Sequence, residues 1–235
     1  MPATAPIEPI LFVVAHPDDE VLGGGGLLGT LADKGHLVTA CILSSVAAAR
    51  DRRPQDHELL EDTLAASKTL GMHAPILGDF PNIKLNVVPH IELVQFIEDA
   101  IVSTGATQIF THHPGDLNDD HRKVSAACQA AARLPLRRDG LPKLQGLHFM
   151  EVPSSTDWAF PGAGPAFTPN SFFELGEADL ARKLNALHCY RDIMRPMPHP
   201  RSIEAVRGLA AVRGGQAGMI YAEAFQSVFT NLGYL

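Results

Sequence analysis

Cysteine and tryptophan are scarce in this sequence, with three and one among 235 residues. Cys41, Cys128 and Cys189 lie far apart and show no metal-type pairing. This usage excludes a small disulfide-stapled scaffold and favours buried, reduced thiols in a reducing compartment.

Long apolar runs and positive charge are scarce as well. No segment is apolar over the roughly 20 residues that a transmembrane helix needs, and no basic region precedes the first acids, so we expect neither a membrane span nor a signal peptide. The formal net charge of -7 argues against nucleic acid or an anionic membrane as a partner. We therefore expect a cytoplasmic protein that acts on a small molecule.

What the sequence does contain is an alternation of strand-like and helix-like segments. Short β-rich runs are separated by segments with helical spacing of apolar residues, and these runs cover residues 10–15, 37–43, 75–77, 107–111 and 146–150. This alternation predicts an α/β fold, a Rossmann-like three-layer sandwich with a mostly parallel sheet and helices on both faces. We expect a single domain over residues 1–235, with reactive groups at the carboxyl ends of the strands.

A histidine and three acids follow the first strand directly. Pro17 disfavours helix at His16, which keeps this imidazole at the extended end of the strand. His16 and Asp19 can then point at one spot, and both are common zinc ligands. Asp18 and Glu20 remain as bases for a metal-activated water. The alternative is that the acids only cap a helix and complement its dipole.

A second cluster of the same type follows the fourth β-rich run, within residues 111–122. His121 falls in the first turn of the next helix. If this strand neighbours the first, His121 faces His16 and Asp19, and three protein ligands leave a position open for water. Each cluster alone also suits a capped turn, but two at the strand ends of one sheet favour a metal site.

Residues 15–20 read Ala-His-Pro-Asp-Asp-Glu, and an Asp-His pair follows near the fourth strand. This pattern resembles the PIG-L/LmbE-like family of zinc-dependent N-deacetylases. Residues 213–225 are similar to the C-terminal pattern of the same family, so the resemblance runs over about residues 11–225.

The resemblance implies roles for individual residues. It places zinc on His16, Asp19 and His121, with Asp18 as the general base that activates water. It further implies removal of an acetyl group from an N-acetylglucosamine-type sugar or its conjugate, and it allows a homo-oligomer. Fe2+ and Co2+ suit the same donor atoms, since affinity order alone does not decide occupancy.

The sequence departs from the family pattern at one catalytic position. Many members carry a histidine that helps to hold the oxyanion where this chain has Asn118, which can donate a hydrogen bond but cannot be a cationic acid. The candidates for the second electrophile are His113, His199 and Arg53. Asp120 is expected to orient His121 or a neighbouring imidazole.

Residues 152–170 are rich in Pro, Gly, Ser and Thr. They form either an irregular connector or a wall of the substrate site, and we expect a wall because long loops in compact domains often carry function. Trp158 is a candidate sugar contact, with core packing as the alternative. The other candidate substrate contacts are Arg53, His199 and Arg201, although the His199-Pro200 pair equally suits a stiff turn.

Two rival functions remain at this point. One is a metal-dependent amidase for a larger amide, which would need a wider pocket around the metal. The other is a non-catalytic Rossmann-like domain that binds a sugar or nucleotide, which would need no base such as Asp18.

Overall fold

A computed structural model describes residues 7–46 and 55–234. Within these ranges seven strands form one sheet and six α-helices pack around it. The strands are β1 (Pro9–Val14), β2 (Leu37–Ile42), β3 (Ile76–Leu77), β4 (Gln108–His112), β5 (Gly146–Met150), β6 (Ser171–Leu175) and β7 (Tyr221–Thr230). The helices are α1 (Asp19–Asp33), α2 (Asp56–Leu70), α3 (His90–Thr104), α4 (Asp119–Ala131), α5 (Glu177–Cys189) and α6 (Ile203–Ala217). None of these helices is long and apolar enough to cross a lipid bilayer.

The strand order is β3-β2-β1-β4-β5-β7-β6. Strands β1 to β5 run parallel, and β7 is antiparallel to both of its neighbours. The predicted mostly parallel sheet is therefore confirmed, but the sequence pattern predicted only five of the seven strands. Strand β6 was not predicted because it is a short, half-exposed edge strand. Strand β7 was not predicted because its apolar and polar residues do not alternate regularly.

Hydrophobic cores lie on both faces of the sheet, as the three-layer prediction requires. Successive residues of β1 point to opposite faces, so that Phe12 and Val14 pack with α1, α2 and α5. Leu11 and Val13 pack on the other face with α3 and α4. Because β1 is buried on both sides, its sequence is continuously apolar rather than alternating.

The pairing of β1 with β4 decides where the functional residues meet. The two strands are parallel neighbours, with Val13 opposite Thr111. Their carboxyl ends therefore reach the same edge of the sheet, and α1 and α4 begin there. This is the position at which open α/β sheets bind ligands.

Helix α1 is interrupted at Gly24, where φ is -152° and ψ is 22°. A Cβ atom at Gly24 would lie 2.5 Å from the ring of Phe12, and one at Gly26 would lie 2.6 Å from Leu175. The glycine run thus lets the helix lie directly on the sheet. It also leaves backbone groups in mid-helix that need partners from elsewhere in the chain.

A buried ion pair supplies those partners. The Glu223 carboxylate on β7 accepts the N–H groups of Gly26 (2.9 Å) and Leu27 (2.7 Å). Lys183 on α5 donates from Nζ to Glu223 Oε1 (2.7 Å) and to the Leu22 carbonyl (2.9 Å). Both side chains are almost fully buried. The pair therefore joins α1, α5 and β7 through the point at which α1 breaks.

We expect Glu223→Ala to destabilise the protein by about 3–5 kcal/mol, because it leaves Lys183 charged and buried without its partner. For a domain of this size that corresponds to a Tm lower by roughly 10 °C, measured by calorimetry. The control is Glu177→Ala, which removes an exposed ion pair with Arg207 and should cost about 0–1 kcal/mol. Equal losses in the two variants would contradict the role of the buried pair.

Candidate active site

Three side chains converge at the shared edge of β1 and β4. The Asp19 Oδ2 atom lies 3.3 Å from His16 Nδ1 and 3.2 Å from His121 Nε2. The three potential ligand atoms lie within 4.8 Å of one another, and all three residues are buried. Two imidazoles and one carboxylate form a donor set typical of catalytic metal sites. The structure thus brings together the three residues predicted as ligands, in a cluster that can hold a metal ion.

A tight turn after β1 fixes the backbone of His16, and an acid fixes its ring. The His16 N–H donates to Asp19 Oδ2 (3.0 Å), and the Asp19 N–H donates to the His16 carbonyl (3.3 Å). On the far side of the ring, His16 Nε2 lies 3.1 Å from Asp120 Oδ2. A carboxylate only accepts hydrogen bonds, so Asp120 favours a proton on Nε2, which is the tautomer that presents Nδ1 to a metal ion.

The His121 ring is held by Asp116, an acid that the sequence pattern did not single out. Asp116 Oδ2 lies 3.2 Å from His121 Nδ1, and Asp116 in turn accepts the hydroxyl protons of Ser155 and Thr156. The expectation for Asp120 is thereby refined, because Asp120 contacts His16 and Asp116 contacts His121. Asp116 lies in the turn after β4, five residues before His121. This position near the expected ligand is the sequence feature that could have indicated its role.

Charge in this cluster is balanced between acids and imidazoles. Burial opposes a charge on His121, but the carboxylates of Asp19 and Asp116 outweigh it and raise the pKa of His121 to about 10. Burial acts against ionised Asp19 too, yet the nearby imidazoles hold the pKa of Asp19 well below its usual range. The acids therefore stay ionised next to a positive group. A metal cation would balance the charge of the same carboxylates, so the donor set suits a metal ion.

We expect Asp116→Asn to weaken metal binding by about 10–100-fold, because the acid that orients a ligand histidine is replaced by an uncharged amide. A competition titration against a chelator measures this affinity. The control is Asp119→Asn, three residues further on, where an exposed carboxylate pairs with Arg122. An affinity equal to that of the control would show that Asp116 does not support His121.

Asp18 begins α1 in a left-handed conformation, with φ at 101°. Its N–H donates to Glu20 Oε2 (3.1 Å), and Glu20 Oε1 accepts the Tyr190 hydroxyl proton (2.6 Å). Burial raises the pKa of Glu20 to about 8. The sequence left two acids open as a base. Asp18 lines the cavity next to the cluster, whereas Glu20 is outside the lining and holds the Asp18 backbone.

The cavity beside the cluster has a volume of about 290 Å³. Arg201 reaches it from the loop before α6, with Nη1 3.6 Å from Asp18 Oδ2 and Nε donating to Ser154 Oγ (2.7 Å). Its lining residues are His16, Asp18, Asp19, Asn82, Ile83, Asn118, His121, Ser154, Ser155, Arg191, Asp192, Ile193, Arg195 and Arg201. The surface is mostly polar, with side chains of both charges.

Asn118 and part of the 152–170 segment are in this lining. The Asn118 Oδ1 atom caps α4 by accepting the Asp120 N–H (3.0 Å), so this residue has a structural task as well as a place in the cavity. Ser154 and Ser155 line the cavity, whereas the rest of the 152–170 segment does not. The expected substrate wall is therefore limited to two serines.

Two residues predicted as substrate contacts lie outside the lining. The Trp158 ring packs edge-on against the His199 ring at a centroid distance of 5.4 Å, and neither residue lines the cavity. The hydroxyl-rich sequence around Trp158 suggested a sugar contact, with core packing as the alternative. Trp158 is 47% exposed, so it is not in the core, and its indole packs against His199 outside the cavity. Arg53 falls in residues 47–54, outside the described residues.

The placement of His113 as a catalytic residue is also corrected. Its Nδ1 accepts the Gly115 N–H (3.0 Å), and its ring packs edge-on against Phe149 and Phe167. The preceding residue, His112, is the one near the cluster, because its ring stacks on His121 at 3.8 Å. Burial lowers the pKa of His112 to about 3, and its Nε2 accepts the Ala15 N–H (2.9 Å).

Comparison with known proteins gives one family match. The profile described as PIG-L, GlcNAc-PI de-N-acetylase, matches residues 11–132, just over half of the chain. The chain is also 28% identical over 183 residues to the uncharacterized deacetylase YaiS of Escherichia coli (strain K12), a match that covers 76% of this chain and 88% of that protein.

Three solved structures share the fold over nearly the whole chain. The conserved protein TT1542 from Thermus thermophilus superposes with a TM-score of 0.77 at 26% identity, covering 96% of this chain and 97% of the other. GalB, the 4-carboxy-2-hydroxymuconate hydratase from Pseudomonas putida KT2440, has a TM-score of 0.75 at 19% identity and coverages of 96% and 98%. The N,N'-diacetylchitobiose deacetylase from Pyrococcus horikoshii has a TM-score of 0.72 at 18% identity and coverages of 93% and 83%. The last two likenesses show the fold alone, and the two proteins catalyse different reactions.

Proposed function

The chain belongs to the PIG-L family of deacetylases, and we propose that it hydrolyses the acetamide of an N-acetylated amino sugar or its conjugate with the help of a divalent metal. The observation that carries this proposal is the buried cluster of His16, Asp19 and His121 beside Asp18 at the cavity wall. All four residues lie within residues 11–132, the part of the chain that matches the family.

We propose zinc as the metal, held by His16, Asp19 and His121. Three protein ligands with an open position are the usual catalytic zinc arrangement, and Fe2+ or Co2+ suits the same donors. When bound, such a cation acts as a Lewis acid on a carbonyl and acidifies water. Asp120 contacts His16 Nε2 and Asp116 contacts His121 Nδ1, and these contacts favour the tautomers that ligation through the other nitrogen requires.

Asp18 is proposed as the general base. It takes the proton from water as the water attacks the acetamide carbonyl, and it returns this proton to the amine that leaves. Arg201 lies beside it, 3.6 Å away, and with Ser154 and Asn118 it offers hydrogen-bond donors to substrate oxygens. Asn118 occupies the position where many relatives use a histidine, and Arg201 lines the same cavity.

The size of the cavity supports a small substrate group over the larger-amide alternative. Its volume of about 290 Å³ is at the lower end of ligand pockets, which range over roughly 300–1,000 Å³. One sugar ring with its acetamide is a suitable occupant, and any conjugate would extend beyond the opening.

Acetate release from a panel of N-acetyl compounds tests the proposal. Metal-loaded protein is incubated with N-acetylglucosamine, N,N'-diacetylchitobiose, a nucleotide-linked N-acetylglucosamine and a glycoside with an apolar aglycone. We expect acetate from at least one compound, abolished by a chelator and restored by zinc. Metal-loaded protein that releases none from any of them would contradict the proposal and direct attention to larger amides or, given the fold shared with GalB, to hydration.

A further inference from the structure

Backbone strain in this protein is concentrated around the cavity. Four non-glycine residues in the described ranges have a positive φ, and they are Asp18 (101°), Ile83 (56°), Ser154 (68°) and Asp192 (58°). All four line the cavity beside the metal cluster. Strained backbone persists only where the surroundings hold it in place, and it collects at active sites because it positions side chains there.

Ile83 is the most unusual of the four. The left-handed region is hardest to reach for β-branched side chains, whereas aspartate tolerates it comparatively well. The strained turn is held by Asp120, whose Oδ2 accepts the Ile83 N–H (2.7 Å) and whose Oδ1 accepts the Leu85 N–H (3.0 Å). Asp120 Oδ2 is also the atom that contacts His16 Nε2. The Asp120 carboxylate therefore fixes Ile83 relative to His16, one of the three proposed metal ligands.

The strained residue gains little from packing. The Ile83 side chain is 52% exposed, although it lines a cavity that is otherwise mostly polar. The other isoleucine in the lining, Ile193, is only 4% exposed and belongs to the core. Ile83 therefore contributes the accessible aliphatic side chain of the cavity, next to the metal cluster.

We propose that Ile83 is the wall against which the acyl group of the substrate packs, so that it limits the length of the acyl chain. This inference rests on the proposed function, because an acyl carbonyl must approach the cluster of which His16 is part. The acyl methyl then needs an apolar surface close by. The remaining lining groups, such as Asn118, Ser154 and Arg201, suit hydroxyl groups of a sugar instead.

The test compares N-acetyl-, N-propionyl- and N-butyrylglucosamine as substrates for the wild type, Ile83→Gly and Ile83→Thr. One methylene in an apolar pocket is worth about 10–200-fold in kcat/KM, so we expect the wild type to disfavour butyryl strongly. Ile83→Gly should lower the acetyl-to-butyryl ratio at least about tenfold. Ile83→Thr keeps the β-branched shape and should keep the length limit, with a higher KM for the acetyl substrate.

Two further measurements do not depend on turnover. Glycine relieves the positive φ, so Ile83→Gly should have a Tm equal to or higher than the wild type. The binding of acetate and butyrate to metal-loaded protein, measured by calorimetry, should differ in the wild type and become similar in Ile83→Gly. The control is Val87→Ala, which trims another exposed β-branched residue (70% exposed) that does not line the cavity.

The outcomes distinguish a failure of the role of Ile83 from a failure of the proposed function. A wild type that releases acetate, together with an unchanged acetyl-to-butyryl ratio in Ile83→Gly, would overturn the assignment of Ile83 and leave the proposed function standing. A wild type that releases none of the three acyl groups, binds neither carboxylate and releases no acetate from the panel of N-acetyl conjugates would overturn both.

Discussion

Replacing Asp18 by Asn should lower kcat/KM for acetate release by about 10²–10⁴-fold, the usual contribution of a general acid–base group. The amide has the shape of the carboxylate but cannot take a proton from water. The turn should survive, because the Asp18 backbone N–H keeps its hydrogen bond to Glu20 Oε2. Metal content should stay at the wild-type level, since Asp18 is outside the proposed ligand set.

The comparison that makes this result specific is Asp192→Asn. Asp192 also has a positive φ and also lines the cavity, so the two substitutions have the same chemistry in similar backbone settings. We expect Asp192→Asn to keep kcat/KM within about tenfold of the wild type, as befits a group without a part in proton transfer. A similar modest loss for Asp18→Asn, with metal bound, would remove Asp18 from the role of base. Glu20 is no substitute, because its carboxylate is committed to Tyr190 and the Asp18 backbone.

Replacing His121 by Gln should abolish stoichiometric metal binding. His121 Nε2 is one of three donors that converge at the cluster, and two remaining protein ligands cannot form the three-ligand set of a catalytic site. Gln keeps most of the volume of the ring and can hydrogen bond to Asp116, which guards against collapse of the buried turn. His121→Ala should lose metal as well, with an additional loss of stability because Asp19 and Asp116 both lose their contact with the buried ring.

The measurement is the metal-to-protein ratio after gel filtration against a weak chelator, with circular dichroism as a check on folding. His113→Gln serves as the matched control, because His113 is another buried histidine near the end of β4 whose ring lies among phenylalanines and not in the cavity. We expect that variant to retain metal. Full metal retention by folded His121→Gln would exclude His121 from the site.

The meeting of the two clusters could be predicted because it depends on one topological fact. If β1 and β4 are parallel neighbours, the turn after each strand reaches the same edge, and this places His16 and Asp19 near His121. The sequence supports that fact through apolar runs and spacing alone. The side chains that support the ligands depend instead on how each turn closes, and Asp116 shows this, because its orientation is fixed by hydroxyl groups from residues 155 and 156.

The choice between His112 and His113 illustrates the same limit. Adjacent residues at the end of a strand point in opposite directions, and nothing in the dipeptide says which direction faces the cluster. The register of β4 places His112 against the His121 ring and turns His113 towards Phe149. Contacts between distant segments were equally beyond the sequence, such as the Tyr190 hydroxyl on Glu20 and the Arg201 guanidinium on Ser154.

The interruption of α1 has a consequence for synthesis on the ribosome. Asp18 and Asp19 lie at the start of this helix, but the broken middle of α1 is completed by Lys183 and Glu223. A nascent chain that has emerged only as far as α4 holds all three proposed metal ligands, yet it lacks the groups that satisfy the backbone of the first helix. The ligands are thus translated early, whereas the ion pair that completes α1 forms only when β7 has left the exit tunnel and paired with β5 and β6.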